Sequence, residues 1–387
     1  MIRKQSSVSG ATMNIGINLM GESKFKAGTG RYAYEVLKAL SEIDKRNTYF
    51  IFLPSCQESE FFFDSPRFIQ LRVPAVENVI VRRVAEQMLL PFYILALKLT
   101  KGLNVVHSTN NIAPIVLLGL NTITIHDMAR WKTKTNKWYK NYFLKVLLLI
   151  SAKVSKKIMT VSEASCKDII TITKVSRKKI AVSLNSVNRS LFRPISDEEA
   201  SKTLTANKMD ITRPFIVALS SIEHRKNYCR LVRAMKRSDV SLDLYICGKK
   251  SDGYGDLIAA IKEEAIYDRI KIVHFPADDL YIALLKKAEF YVFVSIFEGA
   301  GLTPLEAMAC RKAVLASDIP AVREYCGDAA FYVDPLSVES ISSGIRKLSC
   351  ETGLRLELEE RGFRRSQKFD WKIHAEALLH LWSEEHV

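Results

Sequence analysis

The stretch FYVFVSIFEGAGLTPLEAMAC, residues 290–310, reads as a strand, a glycine loop and the start of a helix. FYVFVS (290–295) is rich in β-branched and aromatic residues, Gly299 and Gly301 permit tight turning, and helix formers follow Thr303 and Pro304. Two carboxylates eight positions apart, Glu298 and Glu306, bracket the loop. Thr303 fits an N-cap, Pro304 the first helical position and Glu306 the third, a T-x-x-E capping box that gives Glu306 a structural reason to be there. Glu298 has no such reason. The helix start also offers free N–H groups to an anion, and the glycines let a phosphate approach the backbone. A carboxylate beside a phosphate is unfavourable unless it accepts donors, and sugar hydroxyls are donors. Two carboxylates flanking a phosphate pocket therefore suit a nucleotide-sugar, one holding the sugar and the other the ribose.

Working outward, the same alternation of strand and helix fills the chain. MNIGINLM (13–20), TYFIFLP (48–54), NVVHS (104–108), TITIHD (122–127), KIMTVS (157–162) and KIAVSLNSV (179–187) read as strands, with helices over 31–44 and EASCKDIITIT (163–173). After a linker near RSLFRPISDEEA (189–200) the pattern restarts with PFIVALS (214–220), DLYICG (243–248), IKIVHF (270–275), KAVLAS (312–317) and AAFYVD (329–334). Helices are expected over 227–237, 256–266 and 278–288 and from PLEAMAC (304–310), then over 337–349, 353–367 and 370–386. Strands alternating with helices imply doubly wound parallel sheets, and 387 residues suffice for two domains at ~100–200 residues each. We expect a polar tail over 1–12, a first Rossmann-like domain over 13–195, a second over 196–368, and a final helix, 369–387, crossing back to the first. Ligands in such sheets sit at the carboxyl ends of the strands, so the cleft between the domains is the expected site.

Composition narrows the class. The seven cysteines are scattered and form no CxxC pair, which excludes a disulfide framework or a zinc site and fits a reducing compartment. The start, MIRKQSSVSGAT, lacks the apolar core of a signal peptide, and no apolar run reaches the ~18–20 residues that span a bilayer. Residues 1–195 carry 30 Lys+Arg against 12 Asp+Glu, and residues 196–387 carry 27 against 30. All of the net +15 thus belongs to the first part, which implies an anionic partner there.

Other clusters fall at strand ends. Arg225 and Lys226 in SSIEHRKN (220–227) follow a strand and could neutralise a diphosphate, although adjacent basic residues also suit a solvated loop. Gly28 and Gly30 in KAGTGRY (26–32) permit close backbone approach at a helix start, a weaker signal than GxGxxG. His126 and Asp127 end the strand TIHD, where a structural role competes with a role in the cleft. The stretch 130–157 interleaves Trp131, Trp138, Tyr139 and Tyr142 with lysines. It suits a helix lying on an anionic membrane, or a solvated basic helix, or single-stranded nucleic acid. No nucleic-acid-binding motif supports the last reading.

These residues together resemble the retaining glycosyltransferases of family 4, which have the GT-B fold, and within it mannosyltransferase-like members. The resemblance runs from Met13 to the last helix and rests on the E-x7-E of FEGAGLTPLEAMAC with SIEHRKN, AGTGRY, TIHD, TVSEAS and FDW (369–371) in order. It implies that Glu298 contacts the donor sugar, Glu306 the ribose, and Arg225 with Lys226 the diphosphate. It implies further that the backbone of Gly299, Ala300, Gly301, Leu302 and Thr303 cradles the distal phosphate and sugar. Gly28 and Gly30 would approach donor and acceptor, and His126, with Asp127 beside it, would lie near the transferred sugar. The sequence departs from the family pattern at Ala300, Thr303, Arg311 and His224, and in LNSVN (184–188). The first two touch the sugar pocket, which bears on sugar identity.

The implied reaction is hexose transfer with retention from a nucleotide-diphosphate sugar, GDP-mannose favoured and UDP-sugars open, to a saccharide or lipid-linked acceptor in surface polysaccharide assembly. No divalent metal or other cofactor is expected, because the two cations serve the leaving diphosphate. The basic first domain is expected to dock on the inner face of the cell membrane from the cytoplasm, with no nucleic-acid partner. Two competing readings are a nucleotide-sugar epimerase of the same fold and a basic nucleic-acid-binding protein.

Overall fold

The computed structural model describes residues 12–22, 28–56, 65–116, 119–133, 138–209 and 211–384, without the side chains of 138–140. The expected tail lies outside the described residues save Thr12, as do Lys26 and Ala27 of the glycine loop. The side chains of Trp138 and Tyr139 also lie outside them.

In the first domain the strands are β1 (Asn14–Asn18), β2 (Thr48–Pro54), β3 (Phe68–Val73), β4 (Val105–Ser108), β5 (Asn121–Ile125), β6 (Lys157–Thr160) and β7 (Ile180–Val182). Between them lie α1 (Gly28–Ile43), α2 (Val79–Met88), α3 (Leu90–Lys101), α4 (Ala129–Lys132), α5 (Trp138–Val154) and α6 (Glu163–Thr173). Next, α7 (Asp197–Ala206) leads to β8 (Phe215–Leu219), α8 (Tyr228–Ser238), β9 (Asp243–Gly248), α9 (Tyr254–Glu263), β10 (Ile270–His274), α10 (Asp278–Lys287) and β11 (Tyr291–Phe293). The chain ends with α11 (Leu302–Ala309), β12 (Val314–Ser317), α12 (Pro320–Cys326), β13 (Phe331–Val333), α13 (Val338–Cys350), α14 (Thr352–Ser366) and α15 (Trp371–Ser383).

Among the described residues the strands form two parallel sheets, ordered β3-β2-β1-β4-β5-β6-β7 and β10-β9-β8-β11-β12-β13. In each the chain winds outward one way and then reverses. The reversal falls between β1 and β4 in the first sheet and between β8 and β11 in the second. Loops leaving neighbouring strands diverge there, which opens a crevice at the carboxyl ends.

Alternate residues of each strand enter opposite cores, as the period of two requires. Ile15, Ile17, Tyr49 and Ile51 pack with α1 and α15, whereas Phe50, Phe52 and Val106 pack with Leu90 and Ile94 of α3. α15 buries Trp371, Leu378 and Trp382 in the first core, with Asp370 capping its start through the Lys372 amide. Val187 and Phe192 join the second core, as does α7, which Ser196 caps.

Five elements were not anticipated: β3, α2, α3, α7 and α12. α2 hides its charged residues and exposes its apolar ones, the reverse of the pattern that identifies a surface helix. The DEEA end of the expected linker opens α7. The stretch 130–157 divides differently from the expectation of a membrane helix. Leu144, Leu147, Leu148 and Ala152 of α5 lie in the core, Trp131 and Phe143 pack against it, and Tyr142 is exposed.

Candidate active site

The second domain contributes a charged cluster at its sheet reversal. The loop after β8 closes in a 3-10 turn over His224–Lys226, and Asn227 then takes a left-handed conformation, φ 65°. Its side-chain amide locks that turn by donating to the Val294 carbonyl at 3.0 Å and the Pro335 carbonyl at 2.6 Å. The Ile296 amide donates to the Arg225 carbonyl at 2.9 Å, tying this loop to the one after β11. Arg225 and Lys226 therefore face Glu298. Arg225 Nη1 donates to Glu298 Oε2 at 2.7 Å and Lys226 Nζ to Oε1 at 2.6 Å. Arg225 Nε also reaches Glu223 at 2.7 Å. Burial opposes ionisation of Glu298, but Lys226 and Arg225 outweigh it and hold the carboxyl below its ordinary range. Burial, with Arg225 adding repulsion, lowers the Lys226 ammonium even against the pull of Glu298.

The helix behind Glu298 starts two residues earlier than the sequence suggests. α11 begins at Leu302, Gly301 is its N-cap, and no side chain caps it. The expected capping box is absent. The Gly301 backbone presses against Tyr325, where an added Cβ would lie 3.1 Å from the Tyr325 Cβ, and this sets the entry angle. Thr303 hydrogen-bonds Tyr291 instead of capping. Ala300 and Leu302 pack on the core, leaving their backbone for any ligand. Glu306, fifth in the helix, is 7% exposed and accepts from Arg31 Nη1 at 3.3 Å across the cleft. Arg31 Nη2 meanwhile donates to both Asp278 oxygens at 2.8 Å. Because Asp278 takes most of this guanidinium, burial dominates and pushes the Glu306 carboxyl up to about 7.

The first domain supplies the facing wall. Gly28, φ 57°, and buried Gly30 open α1 directly before Arg31. Thr29 between them donates to Glu22 at 2.7 Å, and burial raises that carboxyl to about 6. His126 donates from Nε2 to the Thr109 carbonyl at 2.8 Å, and burial lowers its pKa, so the ring is neutral. Its backbone amide is held by Asn111 at 2.8 Å. Asp127 accepts from the Ala129 amide at 2.9 Å. Gly299 closes the gap between domains: a Cβ there would run into the His126 carbonyl oxygen and lie 2.7 Å from the Asp127 Cβ. Ser162 donates to the Gly299 carbonyl at 2.7 Å, and Glu324 of α12 receives the first two amides of α6, Glu163 and Ala164, at 2.7 Å each.

Residues 201–365 match the family model described as glycosyl transferases group 1. Over 334 residues, 84% of this chain and 88% of the relative, the chain is 28% identical to an O-antigen chain mannosyltransferase, RfbU, of Salmonella typhimurium. Among solved structures it is similar to sucrose-phosphate synthase of Thermosynechococcus elongatus. That likeness has a TM-score of 0.75 at 16% identity and covers 96% of this chain and 98% of that one. It is also similar to WaaG, a glycosyltransferase involved in lipopolysaccharide biosynthesis, with a TM-score of 0.72 at 14% identity over 95% and 99%. The chain is a glycosyltransferase of the GT-B fold.

The glycosyltransferase thus gathers the residues singled out in its sequence into two groups. Arg225, Lys226, Glu298 and Gly299 meet His126 and Asp127, whereas Glu306 pairs with Arg31 beside Gly28 and Gly30. Sequence reasoning missed Arg31, Asp278, Glu22, Ser162 and Glu324. Arg31 did leave a signal: a cation in the first turn of α1 is disfavoured by the helix dipole, so it implies an outside anion. Asp278 left none, since an acid in the first turn of a helix needs no explanation.

Proposed function

We propose that this glycosyltransferase moves a hexose, with retention, from a nucleotide-diphosphate sugar to a saccharide or lipid-linked acceptor in surface polysaccharide assembly. One observation carries the reading: Glu298 held between Arg225 and Lys226 at the sheet reversal, against the His126–Asp127 strand end. GDP-mannose is the favoured donor, because relatives at 25–28% identity are named mannosyltransferases.

In this reading the diphosphate lies over Arg225, Lys226 and the uncapped start of α11, and Glu306 takes the ribose hydroxyls in place of Arg31. The acceptor hydroxyl attacks the anomeric carbon on the face that the diphosphate leaves. The bond from that carbon to the phosphate oxygen breaks, and the acceptor proton passes to the departing oxygen. Arg225 and Lys226 stabilise the charge that develops on it, so no divalent ion is needed. The Gly299 contact keeps the domains close and limits water. Glu298 orients sugar hydroxyls, and neutral His126 lies beside the transferred sugar. The basic first domain faces the cytoplasmic side of the membrane, where lipid-linked acceptors reside.

The test is incubation with GDP-mannose and a panel of UDP-sugars plus a lipid-linked saccharide, with proton NMR of the product. An α-linked product from an α-linked donor is expected. A β-linked product, or no transfer from any nucleotide-sugar by folded protein, overturns the reading.

A further inference from the structure

Helices α2 and α3 carry a face that the transfer reaction does not use. α2 is inside out. Arg82, Arg83 and Glu86 are its buried residues, and Glu86 satisfies Arg83 at 2.6 Å and Asn18 at 2.7 Å. α3 follows almost without a break, because Leu89 closes α2, opens α3 and stays in the helical region. Leu90 and Ile94 turn into the core. Val81, Val84, Met88, Phe92, Leu95 and Leu99 turn outward, and their separations of three and four place them on one stripe. Met88 is 62%, Phe92 69% and Leu99 79% exposed. A contiguous apolar stripe of this kind marks an interaction surface.

Charge decides the occupant. Lys98 and Lys101 are exposed beside the stripe, and the one acidic residue of these two helices, Glu86, is fully buried. The domain around them carries the whole positive excess of the chain. Among the described residues no helix is long and apolar enough to cross a membrane. An apolar stripe flanked by lysines, too short to span, is the form of a helix lying in a lipid interface, its side chains among the acyl chains and its lysines among anionic headgroups.

We propose that the outer face of α2 and α3 is the surface by which this protein seats itself on an anionic bilayer. This places the membrane contact on a different element from the 130–157 stretch, of which Leu144, Leu147, Leu148 and Ala152 lie in the core. It rests on the face alone and holds whatever sugar or nucleotide the cleft takes.

The experiment is co-sedimentation of the full chain with vesicles of phosphatidylcholine mixed with phosphatidylglycerol, and with phosphatidylcholine alone. Three variants accompany the wild type: Phe92→Ser with Leu99→Ser, Lys98→Glu with Lys101→Glu, and Lys153→Glu with Lys167→Glu as a charge-matched control elsewhere. All six positions are exposed, so folding should survive, and thermal unfolding checks it. The wild type should pellet with the mixed vesicles. The Phe92/Leu99 variant should lose at least about tenfold in apparent affinity, the share expected of two interfacial side chains. The Lys98/Lys101 variant should lose the preference for phosphatidylglycerol, and the control pair should change binding less than about threefold. Three results would overturn the proposal: wild-type pelleting by the Phe92/Leu99 variant, equal loss by the control pair, or a wild-type dimer in solution that the Phe92/Leu99 change dissolves.

Discussion

Replacing Glu306 by glutamine should alter the pH dependence of stability. The folded protein holds the Glu306 proton up to about pH 7, whereas the unfolded chain releases it near the ordinary value of 4.5. Below 4.5 both states are protonated and stability has its full value. As pH rises the unfolded chain gains by ionising while the folded one does not, so stability falls until both are ionised above about 7. From about pH 5 to about pH 8 the wild type should lose about 2.5 kcal/mol that the glutamine variant keeps. An unfolding entropy of about 2.1 cal/mol/K per residue gives about 0.8 kcal/mol/K for the chain, so the two melting curves should diverge by about 3 °C over that range. The assay is thermal unfolding of ligand-free protein across a pH series. Melting temperatures that stay parallel with pH would refute the reasoning, because they would mean that Arg31 keeps Glu306 ionised throughout.

Other expectations concern the facing groups. Glu298→Gln leaves Arg225 and Lys226 without their shared carboxylate and should cost about 3 kcal/mol, partly restored by inorganic pyrophosphate. Thermal unfolding with and without pyrophosphate checks this, and wild-type stability would contradict it. Gly299→Ala places a methyl against the His126 carbonyl and should lower kcat/KM at least about 100-fold with both domains folded. A larger radius of gyration in small-angle scattering should accompany the loss, and unchanged turnover would sink the idea. Glu324→Ala removes the carboxylate that caps α6 from the other domain and should cost about 1 kcal/mol. Hydrogen exchange at the Glu163 and Ala164 amides should quicken, and unchanged rates would contradict the cap.

Both sheets were readable because buried parallel strands appear as short apolar runs between glycines and caps. DLYICG and TYFIFLP match β9 and β2 residue for residue. β3 was hidden by its polar middle, Gln70 and Arg72, at a sheet edge. α2 was hidden by its buried charges. The charged groups at strand ends were legible as residue types, since carboxylates and adjacent cations beside glycine turns are unusual. Their partners were not. Arg31 meets Glu306 across 275 positions, and no local pattern encodes such a pairing. The start of α11 failed for a related reason: Thr303 was read from its neighbours, but Tyr291 and Tyr325, distant in sequence, decide where it points.

The most direct test is thermal stabilisation by GDP, UDP and their sugars, on wild type and on Arg225→Gln and Glu306→Gln. Ligand at about 100 times its Kd adds about 2.7 kcal/mol, or roughly 3 °C for this chain. The account predicts that one nucleotide family raises the wild-type melting temperature and that both substitutions abolish most of that rise while the protein stays folded. If no nucleotide shifts the folded wild type, or if the shift survives intact in both variants, the cluster at the sheet reversal is structural and the donor site is not there.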